Sequence, residues 1–469
     1  MRIGFMQTFR ALWEIEEKER LKIFFLSAAF FAIISSYTII KELKDSIFMN
    51  IVGGKEAIPY AKLFMIFGLI PLVLLYAKLV DTVRRYQLLS YCAWVYSILG
   101  FFCAIIISYG GLGTEVVKPY SAYWFFGWFY YFYIESFSSF VVGVFWAFLN
   151  SVSTPDSAKK NYGILISISK LGGMLSAGLA WFLLSHSGQC HSVGLNETRL
   201  HALLIVISSI ILLAVPFIIN MMMKTVPGQY LHGYEAAYKF EKKQSKSGTK
   251  ETGIFSGLMI LLRYPYAFGI FCTVFFYEVL SAILSYMRLG IAQDAGGSIS
   301  GVSCFLFKVV FYTHFIGFVI SLFGTRVLIS YLGERLSLMV MPVVMGTLLI
   351  YLMLSPSPGA LIIAFVALRA IYYAFNQPVT EALYIPTVKD MKFKSKSWID
   401  TFGKKLARGA GSSFNILAKS VGGAVTSNVH GIFFTGIVVL WSGVAFFLGK
   451  RFEKAIKDGE VIGSDEVSD

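Results

Sequence analysis

Long runs of apolar residues alternate with short polar segments along the whole chain. An apolar run of about 18 residues or more is long enough to cross roughly 30 Å of hydrocarbon as a helix. The pattern predicts twelve such spans and therefore an all-α polytopic membrane protein. The predicted spans are residues 22–41, 57–80, 87–109, 121–150, 162–185, 201–223, 265–288, 302–325, 336–355, 359–378, 406–427 and 431–449.

The longest break in this pattern lies between the sixth and the seventh span. It carries six lysines, Pro227 and several Gly and Ser residues, which is typical of a linker. Two six-helix repeats joined in this way are a transporter architecture. We therefore predict an N-terminal six-helix half at 1–223, a cytoplasmic linker at 224–253, a C-terminal six-helix half at 254–450 and a cytoplasmic tail at 451–469.

The distribution of basic residues predicts the orientation of the spans. Most Lys and Arg residues fall at the N-terminus, in the linker, in the tail and in alternate loops, and cytoplasmic loops carry such an excess. Both termini and the linker are therefore predicted to be cytoplasmic. The basic loop between the second and third spans has Asp81 followed by Arg84 and Arg85. This loop resembles the corresponding loop of the major facilitator superfamily.

The composition agrees with a membrane protein and disfavours other classes. Hydrophobic residues make up 56% of the 469 residues and charged residues only 14%, whereas soluble proteins have about a quarter charged residues. The net charge of +14 belongs to membrane loops and indicates no nucleic-acid partner. The five cysteines show no C-x-x-C spacing, and no metal or nucleotide-hydrolysis motif is present. We expect no cofactor, no bound metal and no enzymatic activity.

Eight ionisable residues lie inside the predicted spans. Each costs about 2.5–3.5 kcal/mol at a helix centre unless it faces a cavity or a partner. Six are basic and two are acidic, and a basic interior favours an anionic substrate such as a phosphate. For several of the basic residues the alternative is that the side chain reaches out to the membrane interface. The eight are Lys62, Glu135, Lys170, Glu278, Lys308, Arg369, Arg408 and Lys419.

The many aromatic residues of the spans allow two interpretations. Most Phe, Tyr and Trp residues at helical spacing pack in the core or form an interface belt. A few that face a cavity would be able to stack a purine base. The sequence leaves open which residues these are.

Several segments resemble the ATP/ADP translocase family of intracellular bacteria and plastids. After the first span the chain reads KELKD at 41–45 and IPYAK at 58–62, similar to the family's R-D-x-K-D and I-P-F-L-K. Glu135 precedes an FWAFLN segment that ends at Asn150, and family members have a glutamate before a similar segment. Glu278 corresponds to a second glutamate of the family. The strongest match is "EALYIPTVKDMKFKSKSWIDTFGKKLARGAGSSFN" at 381–415.

This resemblance implies a nucleotide transporter that exchanges ATP and ADP by alternating access. It also implies a monomer in a bacterial inner membrane, with ATP, ADP and the lipid bilayer as its partners. The cluster at 41–45 is expected to form ion pairs at the outer mouth of a central cavity. The implied phosphate-binding residues are Lys62, Arg408, Lys396 and Lys44, and the implied cavity and coupling residues are Glu135, Glu278, Asn150 and Arg369.

The chain departs from the family pattern at several charged positions. Lys41 stands where the family has arginine, and Arg408 stands where it has lysine. Gln377 and Thr380 replace a family aspartate and lysine. These departures leave the substrate open. The alternative is a proton-coupled symporter of nucleotides or of another phosphorylated anionic metabolite.

Overall fold

The computed structural model describes residues 17–112, 118–153, 155–187, 196–231, 254–388, 391, 395–421 and 423–463. These residues are almost entirely helical, and one isolated parallel bridge joins Thr387 to Ile462. The all-α prediction is therefore confirmed. Residues 232–253 of the predicted linker lie outside the described residues.

Seven α-helices cover the first part of the described chain. π-helical turns follow the first and the fourth of them, at Met49–Gly53 and Ser138–Val142. The helices are α1 (Glu17–Phe48), α2 (Ala57–Thr82), α3 (Arg85–Gly110), α4 (Ala122–Phe137), α5 (Gly143–Ser151), α6 (Pro155–Ser185) and α7 (Glu197–Thr225).

The remaining described residues form nine further α-helices. Three π-helical turns lie among them, at Ile320–Gly324, Tyr372–Asn376 and Ile399–Gly403. The helices are α8 (Ile254–Arg263), α9 (Pro265–Gly296), α10 (Ile299–Val319), α11 (Thr325–Leu354), α12 (Pro358–Ile371), α13 (Gln377–Ala382), α14 (Lys396–Trp398), α15 (Lys404–Val421) and α16 (Gly423–Asp458).

Contacts between residues divide the chain into two compact units. Unit 1 comprises Met1–Lys250 and Leu289–Phe318, and unit 2 comprises Glu251–Arg288 and Val319–Asp469. The segment that holds most of α10 is thus grouped with unit 1. The division into two six-helix halves stays a prediction.

Unit 1 is built around α1, which is buried over most of its length and packs against α4, α6 and α7. The Phe30 ring stacks on Phe145 with 4.6 Å between centroids. The hydroxyls of Ser36 and Ser208 lie 2.9 Å apart and link α1 to α7. Small and hydroxyl side chains are the usual means of close helix packing in membranes, so α1 serves as the central helix of unit 1.

Unit 2 is held by packing between α11 and α16 and by aromatic contacts near α9. The Tyr277 and Tyr372 rings stack face to face, and the Tyr266 hydroxyl donates to the Leu383 carbonyl at 2.9 Å. α11 changes direction at Gly333, where φ is +69°. Glycine adopts this left-handed conformation without steric cost.

Ten helices of the described residues are long and apolar enough to cross a membrane. The predicted span 57–80 is helical in α2. The apolar helix found there among the described residues is Ala57–Gly68, which is shorter than each of the ten. The predicted span 406–427 coincides largely with α15. This helix is strongly amphipathic, because its Lys, Arg, Ser and Asn residues recur at helical spacing and fall on one face. The count of twelve spans therefore stays a prediction.

Two boundaries differ from the sequence-based prediction for an identifiable reason. Charged residues at 41–45 are typical of a loop, yet α1 continues to Phe48 and its π-turn to Gly53. Likewise the predicted span 265–288 ends at Arg288, yet α9 continues to Gly296 and Arg288 is only 2% exposed. Charged side chains that have partners do not terminate a helix, and the hydropathy pattern alone cannot identify those partners.

Gly172 allows the close approach of α6 to α1. A Cβ atom there would stand 2.8 Å from the Phe31 carbonyl oxygen and 2.7 Å from the Ser35 hydroxyl. We expect Gly172→Ala to destabilise the protein by about 1–3 kcal/mol, because backbone atoms of α1 would have to move. The measurement is the thermal unfolding midpoint of the purified protein in detergent. Gly163→Ala in the same helix is the control, since a Cβ there meets nothing within 4 Å; equal midpoints for the two variants would contradict this packing.

Candidate functional site

The Lys44 side chain of α1 is the best-defined buried charge of unit 1. Its ammonium lies 2.8 Å from the Glu135 carboxylate of α4 and 3.2 Å from the Asp45 carboxylate. The same ammonium lies 4.0 Å from the centroid of the Tyr131 ring. Only 5% of the Lys44 side chain is exposed. Two carboxylates and an aromatic face therefore replace the water that this cation loses.

Local helix geometry explains why these groups meet. Tyr131 and Glu135 are four residues apart in α4, so their side chains lie on one face of that helix. Lys44 reaches this face because α1 stays helical through the charged segment and ends only near Gly53 and Gly54, which have φ values of +107° and +89°. We call Lys44, Asp45, Tyr131 and Glu135 the Lys44 cluster.

The Arg408 side chain of α15 forms the corresponding pair in unit 2. Its Nε donates to Glu278 Oε2 at 2.7 Å, and its Nη2 donates to Oε1 at 3.3 Å. Both oxygens of one carboxylate are thus engaged, as is typical of guanidinium recognition. The Glu278 side chain is 4% exposed, whereas 29% of Arg408 is accessible. A negatively charged ligand can therefore approach this arginine without first unfolding its surroundings.

Further charges surround the Arg408–Glu278 pair. Lys404 lies one turn before Arg408 in α15 and pairs with Asp400 at 2.7 Å. Lys404 and Arg369 also interact electrostatically with Glu278. We call Glu278, Asp400, Lys404 and Arg408 the Arg408 cluster. Such a concentration of basic groups around one buried carboxylate is suited to attracting phosphate.

The structure brings together four of the eight predicted site residues in two pairs, Lys44 with Glu135 and Arg408 with Glu278. Lys396 forms an ion pair with Glu381. Arg369 interacts electrostatically with Glu278 and lies 4.9 Å from the Phe365 ring. Lys62 is half-buried in α2, and the side chain of Asn150 is outside the described part of the chain.

The charged segment 41–45 does contain an ion pair, and its expected place at the outer mouth of a cavity stays a prediction. Lys44 and Asp45 do pair, but inside a continuous helix, and the main partner of Lys44 is Glu135, which is 91 residues away in sequence. The pair could not be predicted because nothing in either segment identifies the other. The face that carries Tyr131 and Glu135, however, is visible in the four-residue spacing of the sequence.

Sequence reasoning missed three groups around these pairs. Tyr131 was treated as one of many packing aromatics, although its spacing from Glu135 is a usable signal. Lys404 is likewise one turn from Arg408 and was not singled out. Arg288 ends the predicted span 265–288 and was not singled out, but its guanidinium carbon lies 4.4 Å from the centroid of the buried Phe365 ring.

Proteins of similar sequence match the chain over nearly its whole length. The ADP,ATP carrier protein 1 of Chlamydia pneumoniae is 24% identical over 511 residues, covering 97% of this chain and 96% of that protein. The chloroplastic ADP,ATP carrier protein 2 of Arabidopsis thaliana is 24% identical over 497 residues, covering 96% of this chain and 78% of that protein.

Solved transporter structures show the same fold. The crystal structure of a D-xylose-proton symporter superposes with a TM-score of 0.57 at 14% identity, covering 91% of this chain and 96% of that one. The fold is therefore a major-facilitator-like arrangement of helices. A family model described as TLC ATP/ADP transporter matches residues 2–355, and the chain belongs to the TLC ATP/ADP transporter family.

Proposed function

We propose that this protein transports nucleotides and exchanges ATP for ADP across the membrane. The relatives of known name are ADP,ATP carriers, and the family is one of transporters rather than enzymes. The observation that carries the proposal at the level of residues is the pair of buried clusters, each with a cation from one helix and a carboxylate from another. Such charges are costly in a membrane protein and mark substrate pathways.

In each unit separately, a phosphate group competes with the carboxylate for the cation. Phosphate oxygens accept charge-assisted hydrogen bonds from Lys44 and Arg408 in place of those accepted by Glu135 and Glu278. Arginine is suited to this exchange, because its planar guanidinium can hold two phosphate oxygens at once. Lys404, in the same face of α15, adds a further positive charge.

This competition couples nucleotide binding to helix movement. The Lys44–Glu135 pair connects α1 to α4 within unit 1, and the Arg408–Glu278 pair connects α9 to α15 within unit 2. A phosphate that takes the cation releases the helix that carries the carboxylate. Helix rearrangement is therefore easiest with nucleotide bound. A carrier that changes conformation only with nucleotide bound catalyses exchange rather than net uptake.

A second candidate function is proton-coupled symport of a nucleotide or another phosphorylated anion. The observation that favours it is that both clusters contain carboxylates, Glu135 and Glu278, which lose their cation when phosphate binds. A proton is then an alternative partner for each of them. Symport would be driven by a pH gradient and would not need nucleotide on the opposite side.

We further propose that the protein works as a monomer in a bacterial inner membrane with both termini in the cytoplasm. The excess of Lys and Arg in the N-terminal segment, the linker and the tail supports this orientation.

We expect labelled ATP to enter proteoliposomes only when they are preloaded with ADP, because the empty carrier is held by its ion pairs. The measurement is initial uptake by vesicles that contain ADP, compared with empty vesicles, with and without an imposed pH gradient. Uptake into empty vesicles that follows the pH gradient would contradict exchange and favour symport. Absence of ATP uptake in every condition would contradict nucleotide transport.

The double variant Lys44→Met/Glu135→Met, made in a protein that also carries Asp45→Asn, separates a substrate-binding role of the pair from a structural one. Without Asp45→Asn, the Asp45 carboxylate would lose the ammonium that lies 3.2 Å away. Replacing both partners of a buried pair by apolar side chains is often neutral for stability. We therefore expect a folded protein whose ADP-dependent ATP uptake falls roughly tenfold or more, as loss of a charge-assisted hydrogen bond implies. Unfolding midpoint and uptake are measured on the same preparation.

The matched control is the exposed ion pair between Arg335 and Glu453, whose side chains are 40% and 62% exposed. Its replacement by two methionines should leave uptake unchanged, because exposed pairs contribute little. Full uptake by the Lys44→Met/Glu135→Met protein would show that the pair is only structural.

Arg408→Lys tests whether two-point contact matters in unit 2. Lysine keeps the positive charge and one hydrogen bond to Glu278 but cannot engage both carboxylate oxygens. We expect Arg408→Lys to raise the half-saturating ATP concentration about tenfold while uptake remains measurable, and Arg408→Gln to abolish uptake. Equal loss in the two variants would show that the positive charge is not the property that counts.

A further inference from the structure

In unit 1, α10 is joined by hydrogen bonds to two helices that are far from it in sequence. Its Ser303 hydroxyl lies 2.7 Å from the Ser46 hydroxyl of α1 and 2.9 Å from Nε2 of His201 in α7. Nδ1 of His201 lies 2.7 Å from the Glu197 carbonyl oxygen. These contacts connect three helices, and we call Ser46, His201 and Ser303 the His201 network.

The His201 network is enclosed by protein on all sides. His201 and Ser303 are 0% exposed, and Ser46 is 2% exposed. A carbonyl oxygen only accepts hydrogen bonds, so Nδ1 of His201 carries a proton and Nε2 faces the Ser303 hydroxyl. Both ring nitrogens are therefore satisfied, as buried polar groups generally are. The network is thus a complete polar contact between α10 and its neighbours.

Apolar side chains join the same segments of the chain. Phe48, two residues after Ser46, belongs to one buried cluster with Leu306 of α10 and Leu289 of α9. All of these residues are part of unit 1, which includes Leu289–Phe318. The polar network and the apolar cluster together explain why this segment is grouped with unit 1 rather than unit 2.

The members of the His201 network all lie near helix ends. Ser46 is close to the end of α1, whereas His201 and Ser303 are close to the beginnings of α7 and α10. The predicted order of spans places the end of the first span and the beginnings of the sixth and eighth on one face of the membrane. In the predicted orientation, this face is opposite to the one that carries the termini.

Alternating access requires this face of the carrier to open. A transporter built from two repeats opens to each side in turn, as one repeat moves relative to the other. By the predicted division at the linker, Ser46 and His201 lie in the N-terminal half and Ser303 lies in the C-terminal half. The His201 network therefore joins the two predicted halves within unit 1, at the face where it lies.

We propose that the His201 network is a gate contact, which breaks when this face of the carrier opens and forms again when it closes. The inference rests on the proposed function, because it assigns the contact that alternates during transport. Hydrogen bonds suit this role, since water replaces the lost partners on opening and little net free energy is lost. Ser46 is also only two residues from Lys44, so both contacts hold the same end of α1.

A reversible cross-link tests whether the contact opens. Ser46→Cys/Ser303→Cys places thiols where two hydroxyls lie 2.7 Å apart, which is close enough for a disulfide. The protein also carries Cys304→Ala, because Cys304 adjoins position 303. The variant is oxidised with copper phenanthroline in ADP-loaded proteoliposomes. We expect ATP uptake to fall about tenfold or more, because a closed gate stops the cycle, and to return with dithiothreitol.

The matched control is Ser36→Cys/Ser208→Cys in the same Cys304→Ala protein. The hydroxyls of Ser36 and Ser208 lie 2.9 Å apart and also join α1 to another helix, but both residues belong to the N-terminal half. Their cross-link should leave uptake unchanged. Unchanged uptake after the cross-link between positions 46 and 303 would show a permanent packing contact and overturn the proposal. Failure of that disulfide to form would overturn it as well.

A second measurement does not use transport as its readout. Ser46→Cys and Ser36→Cys are treated separately with a charged maleimide in detergent, with and without ADP, and the label is quantified on the peptide that contains the new cysteine. Ser46 and Ser36 are 2% and 1% exposed, so neither position is accessible while the gate is closed. We expect position 46 to react about tenfold faster than position 36, because only position 46 becomes exposed when the gate opens. Equal rates would contradict the gate.

The outcomes distinguish this inference from the proposed function. If the wild-type protein exchanges nucleotides but uptake survives the cross-link between positions 46 and 303, only the gate assignment is wrong. If the wild-type protein takes up no nucleotide, the proposed function is wrong, and the ratio of labelling rates at positions 46 and 36 alone decides whether the contact opens.

Discussion

The burial of the Lys44 ammonium is the constraint on which the arrangement of unit 1 depends. A lysine at the centre of a membrane helix costs about 2.5–3.5 kcal/mol, and breaking a buried pair by removing one partner costs about 3–5 kcal/mol. α1 and α4 must therefore cross where Glu135 reaches the ammonium, and Tyr131 must lie one turn away to cover it.

Unit 2 solves the equivalent problem with a different cation. The guanidinium of Arg408 satisfies both oxygens of the buried Glu278 while more than a quarter of its own side chain stays accessible. The carboxylate is thus held in the protein interior, and the cation is left in a position from which it can be drawn away. A lysine in this place would make one contact rather than two, so the arginine gives the resting pair a more defined geometry.

The sequence was sufficient for the fold class and for the identity of most of the charged groups, but not for their pairing. Apolar periodicity predicted most of the helices, and Glu135 and Glu278 stood out because a buried carboxylate is costly. Pairs such as Lys44–Glu135 and Arg408–Glu278 join residues 91 and 130 positions apart, and neither segment contains information about the other. The same limit explains why the predicted spans 22–41 and 265–288 end earlier than α1 and α9, at charged residues whose contacts lie elsewhere in the chain.

π-helical turns adjoin three of the four helices that supply the two central pairs. Met49–Gly53 follows Lys44, Ser138–Val142 follows Glu135, and Ile399–Gly403 precedes Arg408. A π-helical turn contains one residue more than a turn of the surrounding α-helix. Its conversion to α-helix therefore rotates the residues after it relative to the residues before it. Such turns are frequent at functional sites because they are less stable than the helix around them. In the proposed exchange mechanism, the helix segments that move when phosphate displaces a carboxylate are therefore the segments that adjoin these turns.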